Sequence, residues 1–363
     1  MAGENGNGAI MRGEIAESVS VAARLIADRR RFEAIGTELA RRDPAVVVVA
    51  GRGTSDHAAI YARYLLEHAL GVPVALAAAS LLTQYGIESS SKQSALLAFS
   101  QSGAGPDMIA LVESAKRRGA YSIALTNDPA SGLAAAADAT ANLDAGPERA
   151  VAATKTYLAE LISVALIAAA AARAVGRDGS WAEEFNSLPN RMQAALDSAR
   201  MWLADAADTP VVRALHGGNR ALVVGRGFEY PNALELALKL RETTAMFADG
   251  YSAADLLHGP IASASADVAS IALSTDPATE KSIDGSLDRL RAAGAPLLLI
   301  RSDASGSRRM GRDEELVLPT GPHGPLCTPV TAIAGLAIIE SVATGRGLNP
   351  DAPQGLTKVT KTL

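Results

Sequence analysis

The stretch VVVVAGRGTSDHAAIYARYLLE, residues 46–67, has the pattern of a buried strand, a Gly-Arg-Gly turn and a helix in direct succession. The stretch RALVVGRGFEYPNALELALKLRE, residues 220–242, repeats that pattern, and 174 positions separate Gly51 from Gly225. A helix that follows a strand directly can return the chain to the same end of a sheet, as a parallel pairing requires. The two stretches therefore predict a duplicated α/β fold.

The likeness continues beyond these two stretches. LLAFSQSG, residues 96–103, matches SIALSTDP, residues 270–277. KRRGAYSIALTND, residues 116–128, matches RAAGAPLLLIRSD, residues 291–303. Strand, helix, strand, helix and strand recur in one order, which predicts two similar domains, each a parallel sheet flanked by helices.

The repeats also suggest the boundaries of the domains. We predict a polar, glycine-rich leader over residues 1–10 and a first domain with an N-terminal helix over residues 11–190. The second domain is predicted over residues 191–345. A tail over residues 346–363 holds two prolines and two glycines, which favours extended or coiled backbone.

Composition excludes several classes of function. The formal net charge is −5, and no dense stripe of Lys and Arg with interleaved aromatics occurs, so neither nucleic acid nor a membrane surface is an expected partner. The apolar run over residues 161–174 is too short to span a bilayer and predicts a buried helix. The leader lacks the features of a signal peptide, and the single cysteine, Cys327, fits a reducing, cytoplasmic compartment.

Neither a metal nor a nucleotide cofactor is expected. The five histidines show no metal-ligand spacing with a nearby carboxylate. A dinucleotide-binding turn needs a third glycine, and Asp56 and Tyr230 stand at that place in the two Gly-Arg-Gly turns.

The junction after the strand that ends near Phe99 has the chemistry of an anion site. A helix N-terminus offers unpaired N–H groups and a partial positive charge. Hydroxyl or amide donors come from Ser100, Gln101 and Ser102, and Gly105 would let the backbone approach a phosphate closely. A capped helix start without a ligand explains the same residues, because Ser and Gly are common at caps.

The first Gly-Arg-Gly turn is the predicted partner of this junction, because ligands bind at the carboxyl ends of parallel strands. Its candidate donors are Gly53, Thr54 and Ser55. In the second repeat the equivalent junction carries Asp276, whose charge would repel a phosphate. We therefore expect only the first repeat to bind the anion.

The helix of the second repeat carries a candidate acid–base group. Glu235, Lys239 and Glu242 are spaced to share one face of that helix. A solvated stripe with a Glu–Lys pair is the structural alternative. His258, in DLLHGP, could shuttle a proton near neutral pH or could be an ordinary turn histidine.

Six motifs in order, namely GRGTS, SQSG, AATK, ALKLRE, LHGP and LTKVT, resemble the sugar isomerase (SIS) family over residues 11–363. Within that family the chain is most similar to SIS-type glucosamine-6-phosphate deaminases and to the isomerase half of glucosamine-6-phosphate synthase. The resemblance implies two tandem SIS domains of flavodoxin-like, three-layer α/β/α architecture. It also implies a C-terminal tail that closes the site.

The resemblance assigns the phosphate contacts to Thr54, Ser100, Gln101 and Ser102. Gly105 stands where the family often has Ser or Thr, so one hydroxyl is missing. A substrate-lining turn falls on residues 151–154, from Val151 onward, with Ala153 in place of the usual Ser.

The resemblance also implies the roles of the reactive side chains. Glu242 would move a proton between C1 and C2 of the sugar, with Lys239 as an active-site lysine. His258 would open the ring, reaching the site from a neighbouring subunit, so a homodimer with a shared site is implied. Lys358 would form an imine with the keto sugar or act electrostatically.

These assignments predict the conversion of glucosamine 6-phosphate and water to fructose 6-phosphate and ammonia, without a cofactor. The synthase relatives add a glutaminase domain with a nucleophilic cysteine, for which this sequence shows no counterpart, so release of free ammonia is the expected chemistry. A deglycase or isomerase acting on another ketosamine or hexosamine phosphate is one alternative. A non-catalytic regulator that binds a sugar phosphate is another.

Overall fold

A computed structural model describes residues 6–206, 208–303, 314–321 and 324–358. The chain divides into two compact units. The first-repeat unit comprises Ser20–Glu148 and Lys155–Asn186. The second-repeat unit comprises residues 6–19, Arg149–Thr154 and the described part of Ser187–Lys358.

The first-repeat unit is built on a five-stranded parallel sheet in the order β2-β1-β3-β4-β5. Its strands are β1 (Val46–Ala50), β2 (Val74–Leu76), β3 (Ser94–Phe99), β4 (Tyr121–Thr126) and β5 (Ala139–Asn142). Every residue of β3 and β4 is buried. Continuous burial is what a parallel strand shows when helices cover both faces of its sheet.

Helices flank this sheet. They are α2 (Arg30–Arg41), α3 (Thr54–Leu70), α4 (Ala79–Thr83), α5 (Pro106–Arg117), α6 (Gly132–Ala136) and α7 (Lys155–Ala174). The helix α1 (Ala9–Ala27) begins within the residues of the second-repeat unit and ends within those of this one. One core cluster joins β3 and β4 to α4, α5 and α6 through residues such as Ala98, Met108 and Leu133. On the other side, α3 packs against β1, β2 and β3, while α7 packs against α2 and α3.

The second-repeat unit has the same strand topology. Its sheet is parallel, in the order β10-β9-β8-β6-β7. The strands are β6 (Arg220–Gly225), β7 (Phe247–Ser252), β8 (Ala269–Ser274), β9 (Leu297–Ser302) and β10 (Glu314–Leu318). Numbered within its own sheet, each set of strands follows the order 2-1-3-4-5, so the predicted duplicated α/β fold is confirmed.

The helices of the second-repeat unit again lie on two sides of the sheet. They are α8 (Leu188–Asp205), α9 (Pro210–Gly217), α10 (Tyr230–Thr244), α11 (Ala253–Leu257), α12 (Glu280–Ala292) and α13 (Gly324–Gly345). A core cluster joins β6, β8 and β9 to α11 and α12. The helix α13 packs against α8 and α10.

The segments outside the repeats differ in part from expectation. Residues 1–5 of the predicted leader and 359–363 of the predicted tail lie outside the described residues. Within the leader, α1 already begins at Ala9. Residues 346–358 form turns and coil, and residues 149–154, placed by sequence in the first domain, cluster with the second-repeat unit.

Two helices, α7 and α13, are long and apolar enough to cross a membrane by length and composition. Of their most apolar windows, 89% and 94% respectively are buried inside the fold. Core helices of this kind meet the same criteria as membrane spans. The predicted buried helix over residues 161–174 is confirmed as part of α7, whereas the sequence reading did not single out α13.

Steric constraints require glycine at the first position of both Gly-Arg-Gly turns. A Cβ atom on Gly51 would lie 2.3 Å from the carbonyl oxygen of Ser55, and one on Gly225 would lie 2.3 Å from that of Glu229. The third residue of each turn, Gly53 or Gly227, has a positive φ of 54° or 60°. At both turns, glycine therefore lets the backbone pass sharply from strand to helix.

Candidate functional site

The strand order places one switch point in each sheet, where successive connections leave in opposite directions from two neighbouring strands. Ligands of open α/β sheets bind in the crevice at such a point. In the first-repeat unit the switch point lies between β1 and β3. The loops that end these strands hold Gly51–Gly53 and Ser100–Gly105, the segments from which an anion site is predicted.

We call Thr54 together with residues 100–105 the anion cradle. Thr54 opens α3, and Pro106 opens α5 directly after Gly105, so two helix N-termini flank the switch point. Ser100, Gln101 and Ser102 are half-buried. The backbone N–H of Gly103 donates to Ser100 Oγ over 3.2 Å, which holds this loop in a tight turn.

Ser55 is not placed as a ligand donor. Its side chain is buried, and its hydroxyl donates to Glu160 Oε1 over 2.8 Å. Glu160 belongs to the buried helix α7, so this bond ties the start of α3 to the core of the unit. The expectation that Ser55 offers a hydroxyl to phosphate is therefore corrected, because an internal carboxylate already takes that hydroxyl.

The structure adds a charged residue that the sequence reading did not select. Arg52 Nε donates to Asp107 Oδ2 over 2.8 Å, which joins the loop after β1 to the first turn of α5. Asp107 is buried, whereas about half of the Arg52 side chain is exposed. Two features of the sequence could have indicated this pair. Arg52 lies in the Gly-Arg-Gly turn at the carboxyl end of β1, and Asp107 lies in the first turn of the helix that follows the neighbouring strand.

The second switch point, between β6 and β8, is filled by the protein's own side chains. Glu229 is fully buried and accepts hydrogen bonds from Thr275 Oγ1 and Asn232 Nδ2, each over 2.8 Å. Burial raises the pKa of Glu229 to about 7, and burial also raises the pKa of Asp276. These two residues lie 174 positions after Ser55 and Ser102, so carboxyl groups replace two hydroxyls.

The helix α10 carries a buried acid–base cluster, defined as Glu235, Lys239 and Glu242. Lys239 Nζ lies 3.4 Å from Glu235 Oε1 and also pairs with Glu242 Oε2. The side chains of Lys239 and Glu235 are at most 1% exposed, and that of Glu242 is 23% exposed. The alternative that these residues form a solvated stripe is therefore wrong. Lys239 holds the partly exposed carboxylate of Glu242 in place.

His258 follows α11, and its side chain is exposed. Its backbone N–H donates to Asp255 O over 3.0 Å, which closes the last turn of the short helix. An exposed imidazole has the room to act on a bound molecule, as the predicted ring-opening role requires.

Lys358 lies against the predicted substrate-lining turn. Its Nζ donates to Ala150 O over 2.7 Å, and Asp351 O accepts from Val151 N over 3.0 Å. From the other side, the buried carboxylate of Glu14 accepts the backbone N–H groups of Arg149 and Ala150. The tail and α1 thus fix this turn, on which Val151 and Ala153 are half-buried.

The described ranges contain no group of three His, Cys, Asp or Glu side chains arranged to hold a metal ion. Cys327 is buried, and its Sγ donates to Thr275 O over 3.1 Å. Burial raises the pKa of this thiol, which keeps it in the unreactive protonated form.

The comparisons with known proteins agree with this duplicated architecture. The sequence pattern of the SIS domain matches residues 42–170 and 214–340. The glutamine–fructose-6-phosphate aminotransferase (isomerizing) of Symbiobacterium thermophilum is 32% identical over 314 residues, which is 86% of this chain and 51% of that protein. The chain thus spans about half the length of the curated relatives that it matches.

Solved structures show the same fold. The C-terminal domain of glucosamine-fructose-6-phosphate aminotransferase from Francisella tularensis superposes with a TM-score of 0.86 at 23% identity, over 97% of this chain and 100% of that domain. A protein of Silicibacter pomeroyi, provisionally named a phosphosugar isomerase, gives a TM-score of 0.82 at 30% identity, over 94% and 99% of the two chains. The chain therefore belongs to the SIS-domain family and carries two SIS domains in tandem.

Proposed function

We propose that this protein is an isomerase-type enzyme that converts glucosamine 6-phosphate and water to fructose 6-phosphate and ammonia. The observation that carries the proposal is the buried cluster on α10, where Lys239 lies between Glu235 and the partly open Glu242. Such a carboxylate suits a reaction whose difficult step is the transfer of a proton from carbon.

In the proposed reaction, Glu242 removes the proton from C2 of the open-chain amino aldose, and the electron pair forms an enolamine. Return of the proton to C1 leaves an imine at C2. Water then adds to this imine, and ammonia leaves as the C2 carbonyl forms. A positioned general base contributes about 10²–10⁴-fold to such a step.

Two further side chains have proposed roles. His258, which is exposed, would carry the proton that opens the sugar ring. Lys358, held at Ala150 O, would bring an amine or a positive charge to the reacting end of the substrate. The anion cradle would bind the phosphate, because its hydroxyl and amide side chains flank two helix N-termini.

The relatives support this choice of substrate. The Symbiobacterium relative is named for an aminotransferase that acts on fructose 6-phosphate, the ketose product proposed here. The Silicibacter relative carries the provisional name of a phosphosugar isomerase. We also propose a homodimer in the reducing cytoplasm, with the exposed His258 serving a neighbouring subunit.

A different ketosamine or hexosamine phosphate is the second candidate substrate. Two positions favour it, because Gly105 brings no hydroxyl to the cradle and Ala153 brings none to the turn at residues 151–154. A smaller side chain at each place leaves room for another substituent on the sugar.

Ammonia release and ketose formation, measured across a panel of hexosamine and ketosamine phosphates, test the proposal. Glucosamine 6-phosphate should give both products, and Glu242→Gln should lower kcat by about 10²–10⁴-fold. Glu113→Gln makes the same chemical change at an exposed side chain and should retain the wild-type rate. Turnover of another panel member alone would favour the second candidate, and binding without any turnover would contradict an enzymatic role.

A further inference from the structure

We propose that Arg52 completes the anion cradle and makes it selective for the doubly charged terminal phosphate of a sugar. This inference rests on the proposed function, since it assigns a further binding residue to the same reaction.

The pairing with Asp107 brings the Arg52 guanidinium next to the first turn of α5, close in sequence to residues 100–105 of the cradle. Its Nε donates to Asp107 Oδ2 over 2.8 Å, and Asp107 is the second residue of α5, two positions after Gly105. Asp107 is 1% exposed, so the pairing fixes one side of a guanidinium whose side chain remains 53% exposed. Within the described ranges, no residue accepts a hydrogen bond from its two terminal nitrogens.

Gly105, which has no side chain, lies close beside this pair. A Cβ atom on Gly105 would lie 3.3 Å from Asp107 Oδ1, while the other oxygen of that carboxylate accepts the bond from Arg52. A hydroxyl-bearing side chain at residue 105 would therefore crowd the carboxylate that orients Arg52. The guanidinium can replace the hydroxyl that this chain lacks, because its terminal N–H groups suit phosphate oxygens.

The balance of charge gives Arg52 a second task. Asp107 lies directly behind the cradle, and Asp56 lies in the first turn of α3. Burial raises the pKa of Asp56, and the charges of His57 and then of Arg52 partly oppose this rise. Loss of the Arg52 charge would therefore make the electrostatic potential at the cradle more negative and would weaken its attraction for a phosphate.

This arrangement predicts opposite effects for the two partners of the ion pair. Arg52→Gln removes the positive charge and leaves the negative charge of Asp107 behind the cradle without this partner, so it should weaken binding of glucosamine 6-phosphate and of fructose 6-phosphate by about tenfold or more. Asp107→Asn keeps an oxygen that can accept from Arg52 but removes the negative charge, so it should tighten binding. Arg52→Lys should fall between wild type and Arg52→Gln.

Isothermal titration of the full-length protein with both sugar phosphates, with glucosamine and with inorganic phosphate measures these effects. Arg63→Gln, at an exposed position of α3, is the matched control and should bind as wild type does. Wild type should bind unphosphorylated glucosamine more weakly than glucosamine 6-phosphate. In Arg52→Gln the ratio of these two affinities should be smaller. Thermal unfolding of each variant, recorded alongside, reports any loss of stability.

Two results would overturn the proposal: unchanged phosphate affinity in Arg52→Gln, or equal losses of affinity in Arg52→Gln and Asp107→Asn in step with their thermal stability. The second result would show that the pair serves only to join two loops. If wild type binds inorganic phosphate through Arg52 but neither sugar phosphate, the cradle assignment stands and the proposed substrate is wrong.

Discussion

Glu229 shows how one side chain can set the pH dependence of stability. Its pKa is about 7 in the folded protein, because burial disfavours the charged form more than Asn232 and Thr275 favour it. The unfolded chain releases this proton at a lower pH, near 4.5. The folded state therefore holds the proton more tightly, and the contribution to stability, largest below pH 4.5, is lost as pH rises through 7.

Glu229→Gln removes this titration from the folded protein. The variant should be more stable than wild type at pH 8 by about 1–3 kcal/mol, and the difference should shrink toward pH 5. Denaturant unfolding of both proteins at the two pH values measures this change. Glu113→Gln corrects for the general effect of one lost charge, and a Glu229→Gln advantage that does not depend on pH would contradict the assignment.

Individual residues also show where sequence reasoning stops. The spacing of Glu235, Lys239 and Glu242 placed them on one helix face, but only the fold shows that this face is buried. Ser55 and Thr54 are neighbours with similar chemistry, and burial against Glu160 separates their roles. Arg52 was not selected because its partner Asp107 is 55 positions away, a pairing that local patterns do not encode.

At the scale of elements, apolar patterning located the central strands of both sheets but not the strands beside them. The central strands β1, β3, β4, β6, β8 and β9 are largely buried runs, as patterning indicated. The sheet edges are different, because β2 has three residues and β7, with the sequence FADGYS, has two exposed positions at Phe247 and Asp249. A short strand with a polar, glycine-containing sequence carries little periodic signal.

The contact between α2 and α7 depends on one glycine. A Cβ atom on Gly36 would lie 2.1 Å from the carbonyl oxygen of Ile167, so the two helices approach more closely than an alanine permits. Gly13, within α1, has no atom within 4 Å of the equivalent position. Helix propensity alone predicts that alanine stabilises both positions.

Gly13→Ala should therefore raise the free energy of unfolding by about 0.5–1 kcal/mol, because alanine loses less backbone entropy in a helix. Gly36→Ala should lower it by about 1–3 kcal/mol, because α2 must move away from α7. Chemical denaturation of both variants measures the two changes. Equal stabilisation by both substitutions would show that the helices separate easily at Gly36.

At the scale of the whole molecule, the two repeats share one strand topology but differ in the side chains at their switch points. Both sheets follow one strand order, and each fifth strand is followed by a long buried helix, α7 or α13. Sequence comparison of the repeats predicted that the two sheets would be parallel and alike, because the same succession of strands and helices recurs, but it did not give the strand order or the helix α13. It could not predict that Glu229 fills the second switch point, since burial of a carboxyl group depends on the surrounding packing.

The proposed dimer makes a quantitative prediction. If His258 of one subunit serves Glu242 of the other, His258→Asn and Glu242→Gln proteins should each be inactive alone. An equal mixture, exchanged through mild denaturant, should recover about a quarter of wild-type activity, because half of the dimers regain one of two sites. Light scattering gives the mass of each species, and a mixture that stays inactive despite exchange would exclude a site completed in this way.

The occupied crevice of the second sheet has a consequence for the history of the chain. Replacing Asp276 with serine would still leave the buried carboxyl of Glu229 in the way of an incoming anion. Replacing Glu229 with serine would remove one hydrogen-bond acceptor from each of Thr275 and Asn232 and open a void in the interior. Neither single substitution would thus turn the second crevice into a copy of the first, so recovery of a binding function there would require several coordinated changes.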